Sequence, residues 1–275
     1  MKTKPWQLLT PTGLDTTTLS APLRARSPWR YRVTGDLFAS LPFESIAAVL
    51  GVVAACPRHE FEVVTVNPER AREWFAWADR LPMNTAKWCM GEAERLGAVI
   101  GAATLLKWPL ADLRLLTHVT TQAEADARIP VLLACPSAWR GVEVTPGERI
   151  ELADYLAELT GDCGCLACEE GSTCGKGREV VPPLDLATVR GGTAPLHPNH
   201  VRDIRDQCAA ARVPFRFEGW GEWMPTFVGI DPNDGDPRSR IQDTHTFSDG
   251  RTAWKVGVKA AGRLLDGVTH DGEVT

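Results

Sequence analysis

The stretch "FEVVTVNPERAREWFAWADRL", residues 61–81, decides how this chain is expected to fold. Its first six residues are mostly β-branched or aromatic, which is typical of a strand. Pro68 then stands where a helix would begin, a position that proline favours, and Trp74 and Trp77 follow at helical spacing. A strand followed directly by an amphipathic helix predicts a βα unit, which is the building block of a parallel sheet.

The same alternation recurs on both sides of that unit. Strand-like stretches cover residues 31–38, 113–120, 141–146, 186–192 and 213–220, and helix-like stretches cover residues 42–56, 91–106, 123–136, 148–159 and 197–211. Strands that alternate with helices of about 10 to 15 residues predict βαβ units around a parallel sheet. Roughly six such units favour an α/β fold with a parallel partial (β/α) barrel, similar to the TIM type, over a flat doubly wound sheet.

Three regions follow from this pattern. Residues 1–27 are rich in threonine and proline and are predicted to be an irregular N-terminal segment. Residues 28–228 are predicted to form the partial barrel, with a cysteine-rich insert at 161–181. Residues 229–275 are predicted to be a mobile loop and a C-terminal tail, because turn-forming residues fill 229–250.

The composition is that of an ordinary soluble protein. The chain has 275 residues, of which 44% are hydrophobic and 24% charged, and its net charge of -5 gives no electrostatic reason to expect nucleic-acid binding. No stretch approaches the ~18 apolar residues of a membrane span, and the N-terminus lacks the apolar core of a signal peptide. We therefore expect a cytoplasmic protein. Four cysteines stand in apolar or helical surroundings, as buried thiols of a reducing compartment would: Cys56, Cys89, Cys135 and Cys208.

The other four cysteines fall within twelve positions of the insert. They are Cys163, Cys165, Cys168 and Cys174, in the spacing C-x-C-x2-C-x5-C. Four thiolates can close a tetrahedral shell around zinc, and the glycines between them allow the tight turns that such a shell needs. An iron-sulfur cluster and a loop of unligated thiols are the alternatives. A closed zinc shell leaves no open position for substrate, so the predicted zinc is structural.

Polar residues at the ends of the predicted strands supply the catalytic candidates. In a (β/α) barrel the carboxyl ends of the strands converge on one mouth, where active sites lie. Histidine and carboxylate side chains are the usual general acids and bases, which singles out Asp36, His118 and Glu143. A solvated strand end is the alternative for each of them. Further polar residues of this kind are Thr65, Asn67, Thr120, Thr145, Arg190, Thr193, Arg216 and Glu218.

Two more histidines flank the start of a predicted helix. His197 and His200 form the sequence "HPNH", for which capping of the helix N-terminus is favoured over metal binding.

Long blocks of the chain resemble one protein family. They are "GDLFASLPFESI" (35–46), "CPRHEFEVVTVNPER" (56–70), "WPLADLRLLTHVTTQAEADARIPVLLACP" (108–136), "HPNHVRDIRDQCAAARVPFRFEGWGEWMP" (197–225) and "KVGVKAAGRLLDG" (255–267). The family is similar to radical-SAM barrels, is associated with phages, has no known function, and carries an N-terminal three-cysteine motif. The resemblance implies a radical-SAM-like partial barrel encoded by a phage or prophage, in the cytoplasm of a bacterial host.

This sequence departs from the family at the positions that would carry chemistry. The family's three cysteines hold a four-iron, four-sulfur cluster after the first strand, whereas no cysteine precedes Cys56 here. A family Thr-Lys-Arg-Pro is Thr-Val-Asn-Pro at 65–68, and a Gly-Gly-Glu-Ser is Gly-Gly-Thr-Ala at 191–194. Because the cluster supplies the electron that cleaves S-adenosylmethionine, we expect radical-SAM catalysis to be absent.

The resemblance and the departures from it together imply a phage protein that is non-catalytic or repurposed, and that acts as a binding or accessory protein; the cysteine spacing adds a structural zinc. Its partner would be a small molecule or a protein; charge does not indicate nucleic acid, and no membrane is involved. The alternative is a divergent metal-dependent or radical-SAM-related enzyme that acts on a nucleotide or nucleic-acid component, with Asp36, His118 and Glu143 at its site.

Overall fold

A computed structural model of the protein describes residues 2–11, 13–81, 84–101, 108–156, 183–225 and 243–272. In chain order the strands are β1 (Thr3–Trp6), β2 (Leu9–Thr10), β3 (Gly13–Leu14), β4 (Arg30–Val33), β5 (Glu60–Thr65), β6 (Leu113–Val119), β7 (Trp139–Val144), β8 (Leu186–Arg190), β9 (Phe215–Gly219), β10 (Trp223–Pro225), β11 (Asp243–Thr246) and β12 (Thr252–Lys255). The helices are Thr16–Leu19, Ala21–Arg24, Phe43–Ala54, Pro68–Ala78, Thr85–Arg95, Gln122–Leu133, Ala153–Leu156, Pro198–Ala211 and Val258–Ala261.

Seven of these strands form one sheet in the order β1-β4-β5-β6-β7-β8-β9. Every neighbouring pair in it is parallel. From β4 to β9 the strands follow one another in chain order, and helices lie in the connections between them. The predicted α/β alternation around a parallel sheet is confirmed.

The sheet curls into a half barrel. Strands β5 and β9 are four positions apart, which in a flat sheet separates them by ~19 Å at ~4.8 Å per strand. Yet Nη2 of Arg216 on β9 lies 2.5 Å from Oε2 of Glu62 on β5. The two side chains meet because the sheet bends around them, so that its concave side encloses them.

The N-terminal segment is more regular than predicted. Instead of being irregular throughout, residues 1–27 contribute the edge strand β1, which pairs with β4. Trp6 anchors this strand: its side chain is buried, and its ring lies 5.5 Å from that of Phe61 and 6.1 Å from that of Tyr31, centroid to centroid. An aromatic contact between residues so distant in sequence produces no local periodicity. The threonines and prolines of the segment therefore indicate an irregular structure, although a strand forms.

Other predicted boundaries also differ. The helix predicted at 91–106 instead runs from Thr85 to Arg95. The predicted helix at 148–159 is helical only from Ala153 to Leu156 within the described residues. Just before this helix, the backbone N–H of Glu151 donates to the side-chain oxygen of Gln122, and that of Leu152 donates to the side-chain oxygen of Gln207. The predicted loop at 229–250 contains β11, which pairs antiparallel with β12. Because all four residues of β11 are exposed, it lacks the alternation by which a strand is recognised.

The four cysteines outside the insert are free thiols buried in the core, as predicted. Burial raises the pKa of Cys56 to about 11 and that of Cys89 to about 12, so both are protonated at neutral pH. In the part of the chain that the structure describes, no helix combines the length and apolar character needed to cross a bilayer.

The helix Phe43–Ala54 is buried over most of its length and packs against the helix Thr85–Arg95. Eight consecutive residues, from Ile46 to Val53, are buried. Close contact between the two helices depends on Gly51, where a Cβ atom would lie 2.1 Å from the carbonyl oxygen of Cys89. Two backbones at this distance leave no room for a methyl group.

We expect Gly51→Ala to destabilise the protein by about 1–3 kcal/mol or more, the usual cost of overpacking, because a backbone carbonyl must move. Gly91→Ala is the matched control: Gly91 lies in the facing helix, and a Cβ there would meet no atom within 4 Å. It should stabilise the protein by about 0.4–1 kcal/mol through the lower backbone entropy of the unfolded chain. Urea unfolding measures both, and equal effects would contradict the proposed close helix contact.

Candidate functional site

The concave face of the half barrel is lined by charged side chains. They occur at every second position of the strands, as residues on one face of a strand do. These residues are Arg30 and Arg32 on β4, Glu60 and Glu62 on β5, Arg114 and His118 on β6, Glu143 on β7, Arg190 on β8, and Arg216 and Glu218 on β9.

Glu62 is the centre of a buried ion-pair network. Its side chain is 1% exposed, and its two oxygens accept hydrogen bonds of 2.5 Å from Nη1 of Arg32 and Nη2 of Arg216. Arg32 also donates to Glu143 over 2.6 Å, and Nε of Arg216 lies 2.9 Å from Glu218. The network therefore joins β4, β5, β7 and β9 across the interior.

The protonation state of Glu62 follows from its two arginines. Burial by itself would raise the pKa of this carboxyl group, but the positive charges of Arg216 and Arg32 outweigh burial and hold the pKa below its usual value. Glu62 is thus a carboxylate at neutral pH. The pKa of Arg32 is raised for the complementary reason: burial lowers it, but Glu143 and Glu62 more than compensate.

A second set of charges lies one inward-facing position earlier on the strands. Glu60 accepts a hydrogen bond of 2.7 Å from Nε of Arg30, and its other oxygen lies 3.2 Å from Nη2 of Arg114. The two glutamates of β5 are therefore each flanked by two arginines.

Glu62→Gln should cost about 3–5 kcal/mol of stability, because removing one partner leaves buried charge uncompensated. Glu69→Gln is the control, since Glu69 pairs with Arg72 on the surface, where both side chains are more than half exposed. Such a pair contributes about 0–1 kcal/mol. The free energies of unfolding in urea distinguish the two. A loss of less than about 1 kcal/mol for Glu62→Gln would show that the network does not hold the sheet.

A cavity of about 550 Å³ opens at the carboxyl ends of the strands. It is lined by Thr3, Pro5, Arg32, Val33, Thr34, Gly35, Asp36, Val64, Thr65, Val66, His118, Glu143 and Arg190. The three residues predicted to be catalytic, Asp36, His118 and Glu143, thus line one cavity. Their catalytic roles stay predictions.

The two carboxylates of this trio already have partners. One oxygen of Asp36 accepts from the backbone N–H of Phe38 (2.9 Å), and the other accepts from Thr65 Oγ1 (3.0 Å) and the N–H of Val66 (2.9 Å). Asp36 therefore ties the loop after β4 to the end of β5. Glu143 is 5% exposed and pairs with Arg32.

His118 is half-buried, and its ring has one partner among the described residues. Its Nε2 lies 3.1 Å from Oγ1 of Thr145, the residue that follows β7. Burial lowers the pKa of His118, and although Glu143 and Glu124 act in the opposite direction, the pKa stays below its ordinary value. The imidazole is therefore mainly neutral at neutral pH.

Arg190 stands between this cavity and a second one of about 440 Å³, and it lines both. The second cavity is lined by Arg190, Gly191, Gly192, Thr193, Glu218, Gly219, Gly221, Glu222, Val258, Gly262 and Arg263. The Arg190 side chain is exposed, and its guanidinium group pairs with no carboxylate within the described ranges. Among the described residues that line the first cavity, it is thus the cation that is free to meet a ligand.

The predicted zinc ligands Cys163, Cys165, Cys168 and Cys174 lie in residues 157–182, outside the described part of the chain. Zinc at these cysteines stays a prediction. Elsewhere, across the residues that are described, no group of three or more histidine, cysteine, aspartate or glutamate side chains is placed to hold a metal ion.

His197 caps a helix, as the sequence indicates. Its Nδ1 accepts a hydrogen bond from the backbone N–H of Asn199 at the start of the helix Pro198–Ala211, and its Nε2 lies 3.0 Å from a carboxylate oxygen of Asp249.

The role of Arg32 and Glu62 is not among the predictions from the sequence. A signal for it exists in "RYR" (30–32) and "EFE" (60–62), where like charges alternate with an aromatic residue at the period of a strand. That pattern is also typical of a strand with one solvated face, so only the curvature of the sheet identifies these charges as interior.

One of three comparisons with known proteins identifies a family. A search of curated proteins and a search of solved structures each found no significant match. One family model matches residues 3–273, nearly the whole chain, and its description is "Protein of unknown function (DUF5131)". The chain belongs to this uncharacterised family.

Proposed function

We propose that this protein binds a small anionic molecule in the cavity at the carboxyl end of the half barrel. The observation that carries the proposal is the state of the charges there. Arg32 and Glu143 pair with each other and Asp36 holds a loop, whereas the guanidinium group of Arg190 is uncommitted among the described residues. An unpaired arginine in a cavity suits a carboxylate or phosphate group, which it can bind through two parallel hydrogen bonds.

The cavity's size and lining support a small-molecule ligand. A volume of about 550 Å³ lies within the usual range of ligand pockets, which is about 300–1,000 Å³. Pro5, Val33, Val64 and Val66 supply apolar wall, and polar or charged side chains make up most of the remaining lining. Arg32, Asp36 and Glu143 already have partners, so few charged groups are left to bind a ligand, as is common in such sites.

Binding without radical chemistry is favoured because the family's cluster cysteines have no counterpart before Cys56. We further propose that the protein is encoded by a phage, has a radical-SAM-like scaffold and serves as an accessory protein in a bacterial cytoplasm. In this proposal, zinc fixes the insert at 161–181. The blocks of sequence that resemble the family and the residues that differ from it at the strand ends support this proposal.

Ligand-observed NMR and calorimetry would test the proposal with three anionic probes, L-lactate, glycerol 3-phosphate and adenosine monophosphate. Glycerol and adenosine are the uncharged controls. We expect Arg190→Gln to weaken binding of the anionic probes by about tenfold or more, since a charged hydrogen bond contributes about 1.5–3 kcal/mol.

Arg263→Gln is the matched control, because Arg263 lines only the second cavity and pairs with Asp271. It should leave binding within about twofold of the wild type. If Arg263→Gln abolished binding and Arg190→Gln did not, the second cavity would be the site. If no anionic probe bound better than its uncharged control, the proposal would be wrong.

One observation favours the alternative function, an enzyme that acts on a nucleotide. His118 is neutral and lines the cavity, which are the two properties that a general base needs. Incubating the protein with nucleoside monophosphates and analysing the products by mass spectrometry would test it. A turnover rate that falls by about a hundredfold or more in His118→Gln, as expected for the loss of a general base, would establish the enzyme. Turnover unchanged in His118→Gln, or none in the wild type, would exclude this role of His118.

A further inference from the structure

Thr145 contacts both His118 and Arg190, the two residues that the proposed ligand would meet in the cavity. Its Oγ1 lies 3.1 Å from Nε2 of His118 and 2.8 Å from the backbone carbonyl oxygen of Arg190. The hydroxyl group therefore contacts the ring of one residue and the main chain of the other. Since Thr145 comes directly after β7, it lies between β6 and β8, which are the neighbours of β7 in the sheet.

The number of available hydrogens determines which group donates in each of these two contacts. A threonine hydroxyl group has one hydrogen, and a carbonyl oxygen can only accept. The 2.8 Å contact with the Arg190 carbonyl, a normal length for an O–H···O bond, therefore uses the Thr145 hydrogen. For the second contact also to be a hydrogen bond, Nε2 of His118 must carry the proton and donate to Oγ1.

We propose that Thr145 is a positioning residue that fixes His118 in the Nε2–H tautomer, so that the cavity offers the Nδ1 lone pair as a hydrogen-bond acceptor. The ligand class that follows from this tautomer rests on the proposed function and sharpens it. A ligand that suits the site carries an anionic group for Arg190 and a hydroxyl or amino group that donates to Nδ1. The hydroxy and amino carboxylates are the simplest class with these two groups.

The surroundings of His118 agree with one fixed tautomer. No described residue forms a hydrogen bond with Nδ1, so Thr145 alone among them sets which nitrogen is protonated. The nearby charges are paired and do not compete for the ring: Glu143 binds Arg32, and Glu124 binds Arg128 over 2.9 Å. Arg128 also donates to the main-chain carbonyl of His118, which holds its backbone in place.

Long-range proton–nitrogen NMR of the ligand-free protein with ¹⁵N-labelled histidine tests the tautomer directly. The His118 signals are assigned by their loss in His118→Gln. At mildly alkaline pH we expect a protonated Nε2 and an unprotonated Nδ1 in the wild type and in Thr145→Ser, which keeps the hydroxyl group. Thr145→Val, which has the same shape without a hydroxyl group, should give a mixture of tautomers.

Two results would overturn the assignment: an Nδ1–H tautomer in the wild type, or a Thr145→Val spectrum like that of the wild type. Thermal unfolding of both variants checks the fold, and Thr145→Ser separates loss of the hydroxyl group from general damage at this position. This experiment contains no ligand, so its outcome is independent of the proposed function.

The ligand class is tested by comparing L-lactate with propionate, which lacks only the hydroxyl group. We expect the wild type to prefer lactate by about threefold to tenfold, the range for one neutral hydrogen bond. Thr145→Val should lose this preference while it keeps the part of the affinity that depends on Arg190. Equal binding of the two acids to the wild type would overturn the donor requirement and leave anion binding intact. Binding of neither acid would refute this ligand class whatever the tautomer.

Discussion

The ion pairs of Glu62 with Arg32 and Arg216 are the interaction on which the rest of the structure depends. Closed (β/α) barrels fill their interior with branched apolar side chains from eight strands, whereas this sheet has seven strands and encloses paired charges. Replacing such a buried set with apolar residues is often neutral or stabilising, but removing a single member is costly. The network and the curvature of the sheet therefore depend on each other: only a curled sheet brings β5 and β9 close enough for Glu62 to pair with Arg216.

The same network determines what the cavity can do. Arg32 pairs with Glu62 in the interior and with Glu143 at the cavity wall, so the carboxylates of Glu62 and Glu143 are both engaged in structural ion pairs. Asp36 is similarly committed to a loop. Of the ionisable side chains that line the cavity among the described residues, Arg190 and His118 keep a group for a ligand, and these groups are an anion-binding guanidinium and the Nδ1 hydrogen-bond acceptor. This pair suits recognition better than acid–base chemistry between two carboxylates.

Much of the fold could be predicted from local patterns, because the β-branched strand at 61–66 and the helix that begins at Pro68 are each recognisable from a few neighbouring residues. Asp36, His118 and Glu143 could be placed at one edge because parallel strands all end on the same side. The N-terminal strand and the Glu62 network could not be predicted, since the contacts of Trp6 and Arg216 join residues far apart in sequence. A linear pattern contains the charge of a residue but not the curvature that buries it.

The glycines after β8 show how the loops also serve the site. A Cβ on Gly191 would lie 2.1 Å from the main chain of Trp220, and one on Gly221 would lie 2.3 Å from the carbonyl oxygen of Gly192. The loops after β8 and β9 are therefore in backbone contact, which explains both glycines by packing, without a nucleotide-binding motif. Because Arg190 immediately precedes Gly191, this contact fixes its main chain, and the hydrogen bond from Thr145 fixes it from the other side. An arginine held in this way loses little backbone freedom when it binds an anion, and such preorganisation favours tight binding.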